Sequence, residues 1–229
     1  TVDLVDGGKQ KIVLCDDGAG IDDISQAIKR HATSKVATED DLIRIQTMGF
    51  RGEALASICS ISKVTIQTRT VDEPTGRQAI VEHGEIISTQ SIPMDVGTII
   101  IVDELFYNTP ARKKFLKSTA IERKHCQDVI TKVSLSNTEL DLILTHDGKS
   151  LFHAIPHAEL KQRIASVYDV QTAKSMLEIN ASSEHFSVTG VIGIPYSTRN
   201  DTDRQTILIN NRPVKSHIVK QAVYDAYQS

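Results

Sequence analysis

Residues 12–21 read IVLCDDGAGI. An apolar run from Ile12 to Cys15 stops at two carboxylates, and Gly18 and Gly20 follow one residue apart. One reading is a turn, since Gly tolerates positive φ and an Asp side chain bonds its own backbone two residues on. The other reading is chemical. Glycines at a strand end remove side-chain bulk, so a flat ring can lie against the main chain. A carboxylate beside that ring accepts a hydrogen bond from an exocyclic amine. Adenine offers an amine there and guanine a carbonyl, so one buried acid separates the two strongly.

A second glycine cluster follows in GFRGEAL, residues 49–55. Gly49 and Gly52 free the backbone to aim N–H groups inward, and Ala54 and Leu55 open a helix whose N-terminus favours phosphate. Between the clusters, Thr33, Ser34 and Lys35 supply hydroxyls and a cation from a loop whose composition suits a lid. The chain lacks the three-glycine run of a dinucleotide fold and the GxxxxGK[ST] phosphate loop. The two clusters read as two walls of one purine pocket.

The rest of the chain is an ordinary mixture of strands and helices. It has 229 residues, 40% hydrophobic and 24% charged, with a net charge of -3. This is enough for one large or two smaller domains with a real core, and a nucleic-acid role would need a local basic patch. No apolar run is long enough to span a bilayer, and no secretory signal opens the chain. Cys15, Cys59 and Cys126 are far apart and lack metal-ligand spacing, which fits free, mostly buried thiols in a reducing cytosol.

The expected elements begin with a hairpin over residues 1–16 turning at Gly7-Gly8, then a helix capped by Asp22 and carrying Ile24, Ala27 and Ile28. Thr38 and Asp41 resemble a capping box. KVTIQTRT, QAIVEH and EIISTQ follow as strands, and GTIIIV is apolar throughout, as a central strand is. Thr109 and Pro110 mark the cap and first position of a helix. A longer helix over about 121–135 leads to a hairpin at Asp147-Gly148, and beyond Pro156 come a helix, two strands and a terminal amphipathic helix. The class is α/β or α+β. Starting inside a strand pattern at Thr1 and ending after an amphipathic helix, the chain is expected to be part of a longer protein.

DDGAGI, RHATSK, GFRGEALASI, GTIIIVDELFYNTPARKKFL and ILINNRPV strongly resemble the MutL family of DNA mismatch repair proteins, in family order and over nearly the whole chain. The bacterial type is the most similar. The resemblance implies a two-layer GHKL (Bergerat-type) ATPase sandwich of mixed β-sheet and helices over residues 1–154. A ribosomal-protein-like βαβ second domain would follow over 155–229. By position, Asp16 matches the aspartate that holds the adenine amine, with Gly18 and Gly20 completing that motif. Thr33, Ser34 and Lys35 match the lid. Gly49, Phe50, Arg51, Gly52, Glu53, Ala54 and Leu55 match the second glycine motif, with 52–55 nearest the phosphates, and Thr98 matches a threonine near the adenine.

The implied cofactor is ATP. The family's general-base glutamate and metal-binding asparagine would precede Thr1, and its phosphate-reaching lysine would follow Ser229. No catalytic residue or metal ligand is therefore expected in this chain, and Mg2+ only together with the upstream motif. The implied partners are DNA without sequence specificity, a mismatch-recognition protein of the MutS type, and a second copy in an ATP-dependent homodimer. The expected location is the bacterial cytoplasm, at the nucleoid, with no membrane. Arg112, Lys113, Lys114 and Lys117 beside Phe115 form one basic surface for DNA phosphates, and Arg212 and Lys215 another; a solvated helix face is the plain alternative for the first. Two further readings stand beside this one: a regulatory nucleotide-binding module without turnover, and another GHKL ATPase of the gyrase B or Hsp90 kind. Asn211 stands where Gly is common, and Asn still allows positive φ.

Overall fold

In the computed structural model, which describes residues 1–29, 53–157, 159–184, 186–197 and 202–228, eight strands form one sheet. They are β1 (Val2–Val5), β2 (Lys11–Asp16), β3 (Lys63–Arg69), β4 (Gly76–Glu82), β5 (Glu85–Ile92), β6 (Gly97–Asp103), β7 (Leu142–His146) and β8 (Lys149–Ala154). Across the sheet the order is β5-β4-β3-β6-β2-β1-β7-β8. β1 and β7 run parallel, Val2 facing Leu144, while β1–β2, β2–β6, β3–β6, β3–β4 and β4–β5 are antiparallel. The sheet is thus mixed. GTIIIV lies in β6, between β3 and β2, the interior place its apolar run implies.

Period-two alternation decides which face is buried. In β3, Val64, Ile66 and Thr68 are buried and their neighbours are half-buried. Val64, Ile66, Ala79, Val81 and Val102 pack with Ile24 and Ile28 and with Cys59 into one core. Ile24 belongs to helix α1 (Ile24–Ala27) and Cys59 to α2 (Ala54–Ile61). Each aliphatic side chain buried there contributes about 1.5–3 kcal/mol.

The remaining helices are α3 (Pro110–Lys113), α4 (Thr119–Ser136), α5 (Leu160–Val167), α6 (Val170–Lys174) and α7 (His217–Gln228). Two hairpins complete the described residues, β9 (Met176–Ser182) with β10 (Ser187–Gly193) and β11 (Ile207–Ile209) with β12 (Arg212–Val214). The chain divides into two units, Thr1–Gln127 with Leu144–Leu151, and Asp128–Ile143 with Phe152–Ser229. In the second, Leu135, Ile164 and Ala173 form a small core with Leu160, Tyr168, Met176 and Val191. Arg163 is fully buried there and donates to the carbonyls of Asn137 (3.0 Å), Thr138 (2.6 Å), Leu140 and Ala154. Asn210 and Asn211 turn the β11–β12 hairpin with φ of 48° and 60°, so Asn211 takes the positive φ its position requires.

The structure corrects several local expectations. The cap of α1 is Asp23, not Asp22: Asp23 Oδ1 accepts from the backbone N–H of Ser25 at 2.8 Å and of Gln26 at 3.2 Å. The Ser25 hydroxyl and these N–H groups hold its carboxyl below the ordinary 3.8. Thr109 stands at the cap of α3 with Pro110 inside, but its hydroxyl makes no cap bond and the helix is one turn long. Cys15 is exposed rather than buried, whereas Cys59 is buried and its thiol is pushed up to about 11 by burial. β9 and α6 were not expected. The Thr38–Asp41 capping box lies outside the described residues.

Candidate functional site at the ends of β2, β3 and β6

Asp16 is the last residue of β2 and faces Thr98 of β6, which in turn faces Thr68 of β3. Three strand ends therefore converge on one spot. Asp16 Oδ1 accepts the Gly18 N–H at 3.0 Å, an Asx-type turn that fixes the carboxylate at the strand end. The turn reading of this stretch holds, and the Asp16 side chain is exposed rather than buried, because it caps a turn at the open end of β2.

Glycine is required at two of these positions. Gly20 has φ +83°, and a Cβ there would lie 2.3 Å from the Arg69 carbonyl oxygen. Gly97 has φ +140°, and its Cβ would lie 2.3 Å from the Asp16 carbonyl oxygen. The backbones thus approach more closely than any side chain permits. These close approaches hold the ends of β2, β3 and β6 together beside Asp16.

Thr68 and Thr98 are both buried. Thr68 Oγ1 accepts the Ile21 N–H at 2.7 Å and donates to the Gly97 carbonyl at 3.1 Å. Its one proton is then used, so across the 3.4 Å contact with Thr98 Oγ1 it is Thr98 that donates. Arg77 of β4 donates to the carbonyls of Ile21 (3.0 Å) and Asp22 (2.7 Å), and Glu73 holds its Nε at 2.8 Å. Hydrogen bonds from the Thr70 backbone and hydroxyl, with the Arg77 charge, keep the Glu73 carboxyl below the ordinary range. The loop after Asp16 is therefore pinned from β3 and β4.

Sequence reasoning missed Thr68 and Arg77. Thr68 had one signal: it is a polar residue in phase with Val64 and Ile66, on the buried side of its strand. Arg77 had none, because the two carbonyls it holds in the loop after Asp16 are more than 50 residues away in sequence.

Of the other site residues expected from the sequence, Glu53, Ala54 and Leu55 are described and enter α2. Leu55 packs against the same core as Ile21 and Ile24, so α2 and the segment after Asp16 share one sheet face. Thr33, Ser34, Lys35, Gly49, Phe50, Arg51 and Gly52 lie outside the described residues. Arg112, Lys113, Lys114 and Lys117 are all exposed, and Phe115 beside them is 77% exposed. In the second unit Arg212 is half-buried within β12 and Lys215 is exposed. Among the described residues, no helix is long and apolar enough to cross a membrane.

Solved structures share this architecture. The ATPase domain of Aquifex aeolicus MutL, solved with ADP, is 27% identical and superposes with a TM-score of 0.73 over 98% of this chain and 78% of that one. The N-terminal domain of a DNA repair protein gives a TM-score of 0.80 at 26% identity, over 99% of this chain and 73% of the other. The fold is the mixed α/β fold of the GHKL type. Residues 164–229 match the family pattern described as the DNA mismatch repair protein, C-terminal domain. The MutL protein of Streptococcus thermophilus is 42% identical over all of this chain. The chain belongs to the MutL family of DNA mismatch repair proteins. It spans 36% of the length of that relative.

Proposed function

We propose that the chain binds ATP at the ends of β2, β3 and β6, and that nucleotide binding drives self-association and contact with DNA in mismatch repair. The supporting observation is the Asp16 carboxylate, held by the Gly18 N–H at 3.0 Å where the ends of β2, β3 and β6 meet. These residues suit an adenine: Asp16 accepts its amine, Gly18 and Gly20 floor the ring, and Thr98 closes the strand side. By the family resemblance, Gly49 to Leu55 supply the second glycine motif, with Gly52 to Leu55 assigned to the phosphates, and Thr33, Ser34 and Lys35 are assigned to the lid. When bound, ATP supplies a phosphoanhydride whose cleavage resets the protein. Residues 155–229 act as a second domain in this reading. The Aquifex neighbour solved with ADP favours a nucleotide ligand here as well.

The exposed Arg112, Lys113, Lys114 and Lys117 meet DNA phosphates without reading sequence, with Arg212 and Lys215 in the second unit as the alternative surface. A MutS-type partner and a cytoplasmic, nucleoid-associated location complete the reading. Phosphate-led binding falls steeply as salt rises, so affinity unchanged between low and moderate salt refutes the DNA part. The nucleotide part is tested in the full-length protein by thermal shift with non-hydrolysable ATP and GTP analogues. At a ligand concentration of 100 times Kd, stabilisation by the adenine analogue is about 2.7 kcal/mol. Asp16→Ala removes it. Equal shifts with adenine and guanine refute the role of Asp16.

A further inference from the structure

The C-terminal end of α2 is held at every one of its last four carbonyls. Such carbonyls have no partner inside the helix and need one outside. Ile58 O accepts from the Ser62 hydroxyl at 2.5 Å. Cys59 O accepts from the Gly84 N–H at 3.0 Å, and Ile61 O from the Phe106 N–H at 2.8 Å. Ser60 O accepts from Asn108 Nδ2 at 2.8 Å. Asn108 is the only side chain outside α2 and the residue that follows it among these four donors.

Two features make Asn108 more than a filler. Its amide nitrogen also meets His83 Nδ1 at 3.3 Å, in the β4–β5 turn that delivers Gly84. Its Oδ1 is buried and makes no hydrogen bond, so the amide is oriented by what its nitrogen donates. The segment carrying Asn108 also holds two non-glycine residues in the left-handed region, Glu104 (φ 52°) and Phe106 (φ 63°). That backbone is otherwise unfavourable and persists only where contacts over-determine it. Here it turns the Phe106 N–H and the Asn108 side chain onto the same helix end.

We propose, resting on the nucleotide reading above, that Asn108 is a positioning residue for the phosphates. By holding the Ser60 end of α2 it sets where the Ala54 end stands. Eight helical residues span about 12 Å as a rigid rod, so a displacement at one end is carried to the other. Loss of the clamp therefore weakens contacts to the phosphates and leaves the adenine contacts at Asp16 untouched.

The test is calorimetric titration of the full-length protein with adenosine and with a non-hydrolysable ATP analogue. Wild type is compared with Asn108→Asp, which keeps the shape and replaces the donating nitrogen with an oxygen. The expected result is an analogue affinity reduced by about tenfold, the equivalent of one buried hydrogen bond, with adenosine affinity within about twofold. Equal losses for both ligands, or no loss, overturn the positioning role. If the charged variant does not fold, Asn108→Ala is read in the same way. If neither folds, hydrogen exchange on wild type decides: the Phe106 and Gly84 N–H groups gain protection with the ATP analogue and not with adenosine, and equal protection overturns the proposal. A wild type that binds neither ligand fails the nucleotide reading itself and takes this proposal with it.

Discussion

Replacing Gly97 by Ala probes the close approach on which the site depends. The added Cβ would lie 2.3 Å from the Asp16 carbonyl oxygen, 3.2 Å from Asp17 Cα and 3.3 Å from Asp16 C. All three are backbone atoms, so no side chain can swing aside. Reaching ordinary contact requires β6 and β2 to part by about 1 Å where Asp16 faces Thr98. A non-glycine residue at φ +140° costs about 1–3 kcal/mol, and forced overpacking about 1–3 kcal/mol more. The sum, about 2–6 kcal/mol, is a large part of the 5–15 kcal/mol typical of a domain. Gly148→Ala separates the two contributions. Gly148 also has positive φ, +73°, but its Cβ would meet nothing within 4 Å, so only the backbone cost of about 1 kcal/mol applies. Urea denaturation of the three proteins followed by circular dichroism measures both. A Gly97→Ala protein no less stable than Gly148→Ala refutes the close-packing account of the β2–β6 strand ends.

Further outcomes follow from single residues. Arg163→Met strands four carbonyls without their donor; the second unit loses about 1–3 kcal/mol for each one that stays buried and unpaired, seen as an earlier urea transition. The Asp23 carboxyl is held below 3.8, chiefly by the Ser25 hydroxyl. Its stabilisation is therefore complete above that pH and is lost as pH falls through the lower folded value. Asp23→Asn flattens the acid limb of a plot of Tm against pH, and an unchanged limb refutes the cap. With iodoacetamide on the native protein, the exposed Cys15 is alkylated first. Cys59, with its thiol pushed up to about 11, is labelled only on unfolding, as mass spectrometry of tryptic peptides reports.

Much of the sheet could be read locally, because KVTIQTRT alternates as a one-sided strand and GTIIIV is a continuous apolar run that takes an interior place. The turn at Asp16 was legible for the same reason: a strand that ends on an acid and two glycines marks its own stop in six letters. Thr68 was not, since its role exists only once β3 and β6 are in register and Thr68 faces Thr98. Asp22 and Asp23 are adjacent acids, and the choice between them rests on backbone dihedrals, with Asp23 extended at φ -134° and ψ 101°. β9 was hidden because its alternation is weak: Leu177 is 51% exposed while Met176 and Ile179 are only half-buried. Thr109 misled in the opposite sense, a residue with the composition of a cap whose hydroxyl is buried without a partner.

The parallel pairing of β1 with β7 has a consequence for synthesis. Val2 meets Leu144, so the first strand leaves the ribosome about 140 residues before its neighbour. At about 5–20 residues per second, that is about 7–30 s with one border of the nascent sheet open. Open borders recruit other chains, and a charged side chain is a common guard. Asp3 in the middle of β1 has the charge for that role, and once β7 pairs, the hydroxyl of Thr145 donates to its carboxylate. The guard thus becomes part of the seam it kept clear.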